Sequence, residues 1–351
     1  MRDPHPPASK ARTDALTHLR TPALPLPPAL APILQGGPLL TRTIGTPGGS
    51  LTHDGRMSSS KKDDEKKKAR TETDPLREEV RAIADKAGAG RVAVAYHDYQ
   101  TGTSWSYQGD QWFHAASTIK VPVLLGVFRA VEDGRLTLMA RVHVRNLFTS
   151  AAEDGSTFRV AANRDANAEV PRNIGKTMRV EDLALHMITT SSNLATNLLV
   201  DAVGVEAIAD TLRKLKLDKG VRFRRGVEDD AAHAAGINNE CTADGMLEVL
   251  RTIEERKAFS KESSQQMLDI LHRQQFRSAI PGRLPGDVRV ANKTGEISTV
   301  AHDAGIVYPP DRKPYALVVL TEWEASRTGG RSDTIARISL AVFRRLTGRK
   351  D

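Results

Sequence analysis

Apolar and polar positions alternate in three different ways along this chain. From Pro75, "PLREEVRAIADKAG" repeats apolar residues at helical spacing and closes on Gly88, with Asp74 placed to cap its start, so it predicts an amphipathic helix. "RVAVAYHD" and "GTSWSYQG" then read as two strands turned at "YQTG". Near the other end, "VRVANKTG", "DAGIVYPP" and "YALVVLTE" read as three more strands, and "SDTIARISLAVFRRLTG" as a closing helix. Between about Arg135 and Leu284 helical periodicity dominates, in "VEDLALHMI", "SNLATNLLVDAVG", "VEAIADTLRKL", "ADGMLEVLRTIEE" and "KESSQQMLDILHR". The economical arrangement is a mixed α+β fold. An antiparallel sheet with flanking helices is built from both chain ends, residues 75–134 and 285–351, and an all-helical domain, residues 135–284, is inserted between them. A cleft between the two is the default binding site.

Residues 1–74 follow a different pattern. "PALPLPPALAPIL", "TPGGS" and "SSSKKDDEKKKAR" are proline-rich, turn-forming and densely charged in turn, and they bury too little apolar surface to offset the entropy of ordering. A disordered tail is expected there, with the catalytic unit spanning residues 75–351. The formal net charge of +8 comes partly from this tail. No aromatic or glycine-rich pattern accompanies its lysines, so a solvated linker is expected, with no nucleic-acid partner. The single Cys241 excludes an intramolecular disulfide and a multi-cysteine metal site, and the ten histidines show no metal-ligand spacing, so no metal or cofactor is expected. No run of eighteen apolar residues exists, hence no membrane span is expected. Prolines interrupt the only apolar stretch near the start, and no secretory signal is visible at Met1 or at the alternative start Met57.

Three short stretches carry candidate chemistry. In "HAASTIKVPVLLGVF", Ser117 and Lys120 share a helical face with Leu124 and Phe128, which turns the lysine inward. Burial lowers a lysine pKa and makes it a usable base for a neighbouring hydroxyl, and the backbone N–H groups at a helix start can hold an oxyanion. The competing reading has Ser117 as a helix cap and Lys120 extended to solvent. In "MITTSSNLATNLL", Ser191 and Asn193 sit in a break between helical runs, where Ser191 can pass a proton and the Asn193 amide can face a lysine and a substrate carbonyl; Ser192 and Asn193 are equally good caps. In "RVANKTGEIST", Lys293 and Thr294 at a strand end can offer an ammonium and a hydroxyl to a carboxylate, while Gly295 allows a close approach to the strand edge.

In that order, Ser-x-x-Lys, Ser-x-Asn and Lys-Thr-Gly form the motif set of class A β-lactamases and penicillin-binding proteins. Together with "STIKVPVLL" and "IPGRLPGDVRVANKTG", they make the chain resemble the class A β-lactamase-like serine hydrolases from Pro75 onward. The resemblance implies a nucleophilic Ser117 activated by Lys120, although the acylation base in such enzymes is disputed. It further implies Ser191 as proton relay to the leaving nitrogen and Asn193 on the substrate amide. Lys293 and Thr294 would bind the substrate carboxylate, and the N–H groups of Ser117 and Glu296 would form the oxyanion hole. It also implies a small β-lactam or acyl-peptide substrate, a monomer, and a periplasmic or secreted setting. Three departures stand out. Ser192 occupies a position usually acidic, the stretch "FTSAAEDGSTFRVAANRDANAEV" is long and could form a flap, and the familiar Glu-x-x-Leu-Asn pattern is missing. Glu228 in "RRGVEDDAAHAAG" is the candidate for activating the hydrolytic water, in competition with Asp229 and Asp230. His302 either substitutes for a carboxylate-binding arginine or is a structural histidine bonded to Asp303. The expected activity is β-lactam hydrolysis through an acyl-enzyme; the alternatives are a D-alanyl-D-alanine peptidase or esterase, and a non-catalytic binding module.

Overall fold

The computed structural model describes residues 74–152, 154–161 and 165–349. Apart from Asp74, the expected disordered tail lies outside the described residues. Helix α1 (Pro75–Ala87) starts where Asp74 Oδ1 accepts from the Leu76 N–H at 3.2 Å, and it stops on Gly88 at φ 76°, a left-handed conformation open to glycine. Strands β1 (Arg91–Asp98), β2 (Thr103–Tyr107) and β3 (Phe113–His114) follow, and then a 3-10 turn over Ala116–Ile119 runs into α2 (Lys120–Glu132). Next come β4 (Arg141–His143), β5 (Phe148–Thr149), β6 (Thr157–Phe158), α3 (Glu169–Arg172) and β7 (Thr177–Arg179). Helices α4 (Val180–Thr189), α5 (Asn193–Val203) and α6 (Val205–Lys214) lead through β8 (Val221–Arg222), α7 (Asp230–Ala234) and β9 (Glu240–Cys241) to α8 (Ala243–Glu254) and α9 (Lys261–His272). The chain closes with β10 (Arg289–Ile297), β11 (Val300–Tyr308), β12 (Tyr315–Glu322) and α10 (Arg331–Thr347).

Strands from both ends form one antiparallel sheet in the order β10-β11-β12-β1-β2. Both of its faces are covered, which is why β1 and β12 read as nearly continuous apolar runs where a half-solvated sheet would show alternation. Val92 and Val94 pack with Val80 of α1 and with Ile338 and Val342 of α10 on one face. Ala93, Ala95, Val318 and Leu320 face the other way, into a core shared with Leu124 and Phe128 of α2 and with α4, α5 and α8. Each fully buried Leu or Phe there contributes about 1.5–3 kcal/mol of transfer free energy. The intervening stretch is not wholly helical. It carries the pairings β4 with β7, β5 with β6 and β8 with β9, each only two or three residues long. Strands that short show no period-two signal to read, which is why helical periodicity alone conceals them. Among the described residues no helix is long and apolar enough to cross a membrane.

Candidate active site

Ser117 lies in the 3-10 turn, directly after Ala116 at φ 45°. The sequence reading puts Ser117 at the start of an α-helix; the regular α-helix begins instead at Lys120, whose N–H bonds back to the Ser117 and Thr118 carbonyls. The turn is held from several sides. The Ala115 N–H donates to the Asn239 carbonyl at 3.0 Å, and the Ala116 N–H to His114 Nδ1 at 3.1 Å. β10 approaches so closely that a Cβ on Gly295 would stand 3.0 Å from the Ser117 nitrogen and 2.9 Å from that of Thr118. Glycine is required here by the nucleophile's own backbone. The sequence reading reserved that space for a ligand.

Lys120 is fully buried on the inward face of α2, so the solvent-directed alternative is excluded. Its Nζ lies 2.7 Å from the Ser191 carbonyl, 2.6 Å from Asn193 Oδ1 and 3.1 Å from Ser191 Oγ. The first two partners only accept, so two N–H bonds are committed to them. The third direction faces a hydroxyl that can either donate or accept. Lys293, also fully buried, places its Nζ 3.1 Å from the same Ser191 Oγ and donates to the Thr294 carbonyl at 2.7 Å. Two amines thus meet one hydroxyl. Burial, and then the charge of Lys293, pushes the Lys120 pKa well down, while Asp165 and Glu228 oppose the shift. Burial lowers Lys293 to about 7 against the attraction of Asp303. Ser191 itself has φ 59°, an uncommon state for a non-glycine residue.

Ser192, between the two site residues, is the N-cap of α5, with its Oγ accepting from the Ala195 N–H at 3.1 Å. Asn193 is the first residue of α5, so its side chain is free of capping duty and enters the site. On the far side of Asn193, its Nδ2 donates to Glu228 Oε1 at 2.6 Å, and Glu228 Oε2 accepts from the Ala161 N–H at 3.0 Å. Glu228 adopts φ 62° in the loop before α7. The competition among the three acids is resolved by their partners. Asp229 is fully buried and accepts from Ser150 Oγ, the Ala151 N–H and the Ala232 N–H, which makes it the cap of α7 and its tie to the β5–β6 hairpin. Asp230 is exposed. Sequence reasoning missed Asn197, which holds the loop by accepting from the Val227 N–H at 2.9 Å and donating to the Val227 carbonyl at 2.9 Å. Its one signal is its place four residues after Asn193, on the same helical face.

Two cavities flank Ser117. One, of about 240 Å³, is lined by Ser117, Asn193, Glu228, Arg225 and Glu296. The other, of about 270 Å³, is lined by Ser117, Ser191, Thr294, Ser278 and Ser332. Glu296 and Asn193 border both. His302 departs from both sequence readings. It neither bonds Asp303 nor offers a cation: its Nε2 bonds the His114 carbonyl at 2.9 Å, its Nδ1 accepts from the Thr321 N–H at 3.1 Å, and burial pushes its pKa to about 4. Neighbours on a strand face opposite ways, so Asp303 points instead to Asn292 Nδ2 and the Ile280 N–H. An anionic substrate group in the second cavity therefore has Lys293 and the surrounding hydroxyls to meet.

Comparisons with known proteins agree with this arrangement. Residues 75–346 match the family model described as the β-lactamase enzyme family. A β-lactamase of Bacteroides uniformis is 28% identical over 48% of this chain and 60% of its own length. The β-lactamase AER-1 of Aeromonas hydrophila is 23% identical over 75% of this chain and 84% of its own. Among solved structures, an ancestral class A β-lactamase superposes with a TM-score of 0.66 at 27% identity, covering 77% of this chain and 99% of that one. PBP-A, in an acyl-enzyme complex with penicillin G, shares the fold with a TM-score of 0.67 at 23% identity, covering 78% of this chain and 97% of that one.

Proposed function

The chain belongs to the β-lactamase enzyme family and is a hydrolase of the class A type, and from that premise we propose that it opens β-lactam rings through an ester on Ser117. The observation that carries the reading is the meeting of Lys120 and Lys293, from two distant motifs, on the single hydroxyl of Ser191. In acylation the Ser117 oxygen attacks the lactam carbonyl carbon and its proton passes to the neutral Lys120 amine, which burial keeps unprotonated. The N–H groups of Ser117 and Glu296 receive the oxyanion. The carbonyl carbon–nitrogen bond then breaks, the nitrogen takes the Ser191 proton, and the amine beside Ser191 replaces it. Lys293 and Thr294 hold the substrate carboxylate, and Asn193 contacts the acyl amide. In deacylation Glu228 takes a proton from water, which attacks the ester and releases Ser117.

The peptidase reading depends on no carboxylate reaching the ester. Glu228 lines the same cavity as Ser117, which favours rapid release and hence the lactamase. We further propose that the sheet body, residues 75–134 and 285–351, and the inserted body, residues 135–284, form the two sides of the site, and that one copy acts alone on a small substrate. Stopped-flow mixing with a chromogenic cephalosporin tests the reading. A burst followed by steady turnover is expected, with a transient mass adduct on Ser117, and Ser117→Ala should lose both. Absence of adduct and hydrolysis across penicillins and cephalosporins would remove the proposal, and a long-lived adduct with ester turnover would convert it to the peptidase.

A further inference from the structure

The turn Thr190–Ser191–Ser192 joins α4 to α5 and carries the relay hydroxyl on a residue in the left-handed region. Such a conformation costs of order 1–3 kcal/mol in a non-glycine residue and persists where its surroundings fix it. What fixes it comes from the long segment between β6 and α3. Asp165 Oδ2 accepts from Ser192 Oγ at 3.0 Å and from the Leu194 N–H at 2.8 Å. Its other oxygen accepts from the Asn167 N–H at 2.9 Å. Asn167, itself buried, donates to Thr190 Oγ1 at 2.8 Å and is anchored through its Oδ1 by the N–H groups of Glu169 and Val170. Ser191 is therefore bracketed, with Asn167 on the residue before it and Asp165 on the two after it.

We propose that Asp165 is a positioning residue for the proposed relay: its carboxylate, reaching in from an inserted segment, holds the Ser191 turn and supplies negative charge beside Lys120 that the turn's own middle residue, Ser192, lacks. The inference rests on the proposed function of this same site. Three charged groups face Lys120: Lys293 from β10, Glu228 from the loop before α7, and Asp165 from the segment before α3. Lys293 lowers its proton affinity, and the two carboxylates raise it. The Glu228 carboxylate also holds Asn193, so Asp165 is the acid whose removal leaves the proposed water-activating group in place.

Three full-length variants separate holding the turn from supplying the charge. Asp165→Ala removes the acceptor and the charge, and acylation measured by stopped flow should fall about 10- to 100-fold, the scale of a misplaced catalytic group. Asp165→Asn keeps an acceptor for Ser192 and Leu194 but not the charge. Most of the acylation rate should survive, and the acid limb of its pH profile should move to lower pH, because Lys120 without that neighbour stays neutral further down. In Asp165→Ala/Ser192→Asp a carboxylate returns on the turn itself, still able to cap α5, and should restore at least tenfold of the loss. Acylation by Asp165→Ala within threefold of the unmodified chain would overturn the inference, as would an unmoved acid limb in Asp165→Asn or failure of the double variant to recover. An unmodified chain that opens no β-lactam would instead remove the function proposed above.

Discussion

Replacing Glu228 by glutamine separates the two halves of the proposed reaction. Both carboxylate oxygens face donors, Asn193 Nδ2 at 2.6 Å and the Ala161 N–H at 3.0 Å. A glutamine can satisfy one of them and must turn its own NH2 toward the other, a mismatch costing about 1–3 kcal/mol of stability. The kinetic effect is larger. Losing a positioned general base costs about 10²- to 10⁴-fold in the step it serves, or about 3–5 kcal/mol in the barrier. If that step is deacylation, steady turnover of a chromogenic cephalosporin should fall by this factor. The initial burst should keep its amplitude and slow by less than tenfold, because Lys120 remains in place as the acylation base. Intact-protein mass spectrometry after mixing with a penicillin should find the chain stably acylated on Ser117. Wild-type turnover in Glu228→Gln would refute the assignment of the water-activating role. Loss of the burst together with the turnover would show that Glu228 is needed for acylation, and the Lys120 base would then be the mistaken step.

Lys293 should impose an alkaline limb near pH 7 on kcat/KM: its pKa lies at about 7, and above that the free enzyme loses the ammonium that attracts a substrate carboxylate. With the carboxylate bound the ammonium is restored, so kcat should stay level to higher pH, and a flat kcat/KM from pH 6 to 9 would contradict the role. Gly295→Ala pushes a methyl to within 3.0 Å of the Ser117 nitrogen, so acylation should drop at least tenfold while the melting temperature changes little; unchanged burst kinetics would show that the turn yields freely. Asp229→Ala removes the acceptor shared by Ser150, Ala151 and Ala232, and urea unfolding should report a loss of roughly 2–4 kcal/mol; a loss below 0.5 kcal/mol would rule out the proposed tie between the β5–β6 hairpin and α7.

The long elements were legible from the chain because their signals are local. "RVAVAYHD" became β1 over Arg91–Asp98, and the cap at Asp74 and stop at Gly88 bound α1 as their side chains require. Ser117, Lys120, Ser191, Asn193, Lys293 and Thr294 could be singled out from three motifs, each weak alone, whose order was informative. The roles of Asp165, Asn167 and Asp229 could not. Their partners lie 23 to 79 positions away in the chain, and an acid in a polar loop carries no mark of what it will meet. His302 shows the same limit from the other side: its strand position was readable, but the carbonyl and N–H that occupy its ring belong to β3 and β12.

Sequence alone therefore determined which residue types were present for acyl transfer and which segments would be helix or strand, since spacing along one element fixes the face on which a side chain emerges. Tertiary structure decided the proton affinities and the identity of the supporting acids. Those depend on distance and burial, and only packing β10 and the inserted segment against the α4–α5 turn brings two amines to one hydroxyl and a carboxylate behind it.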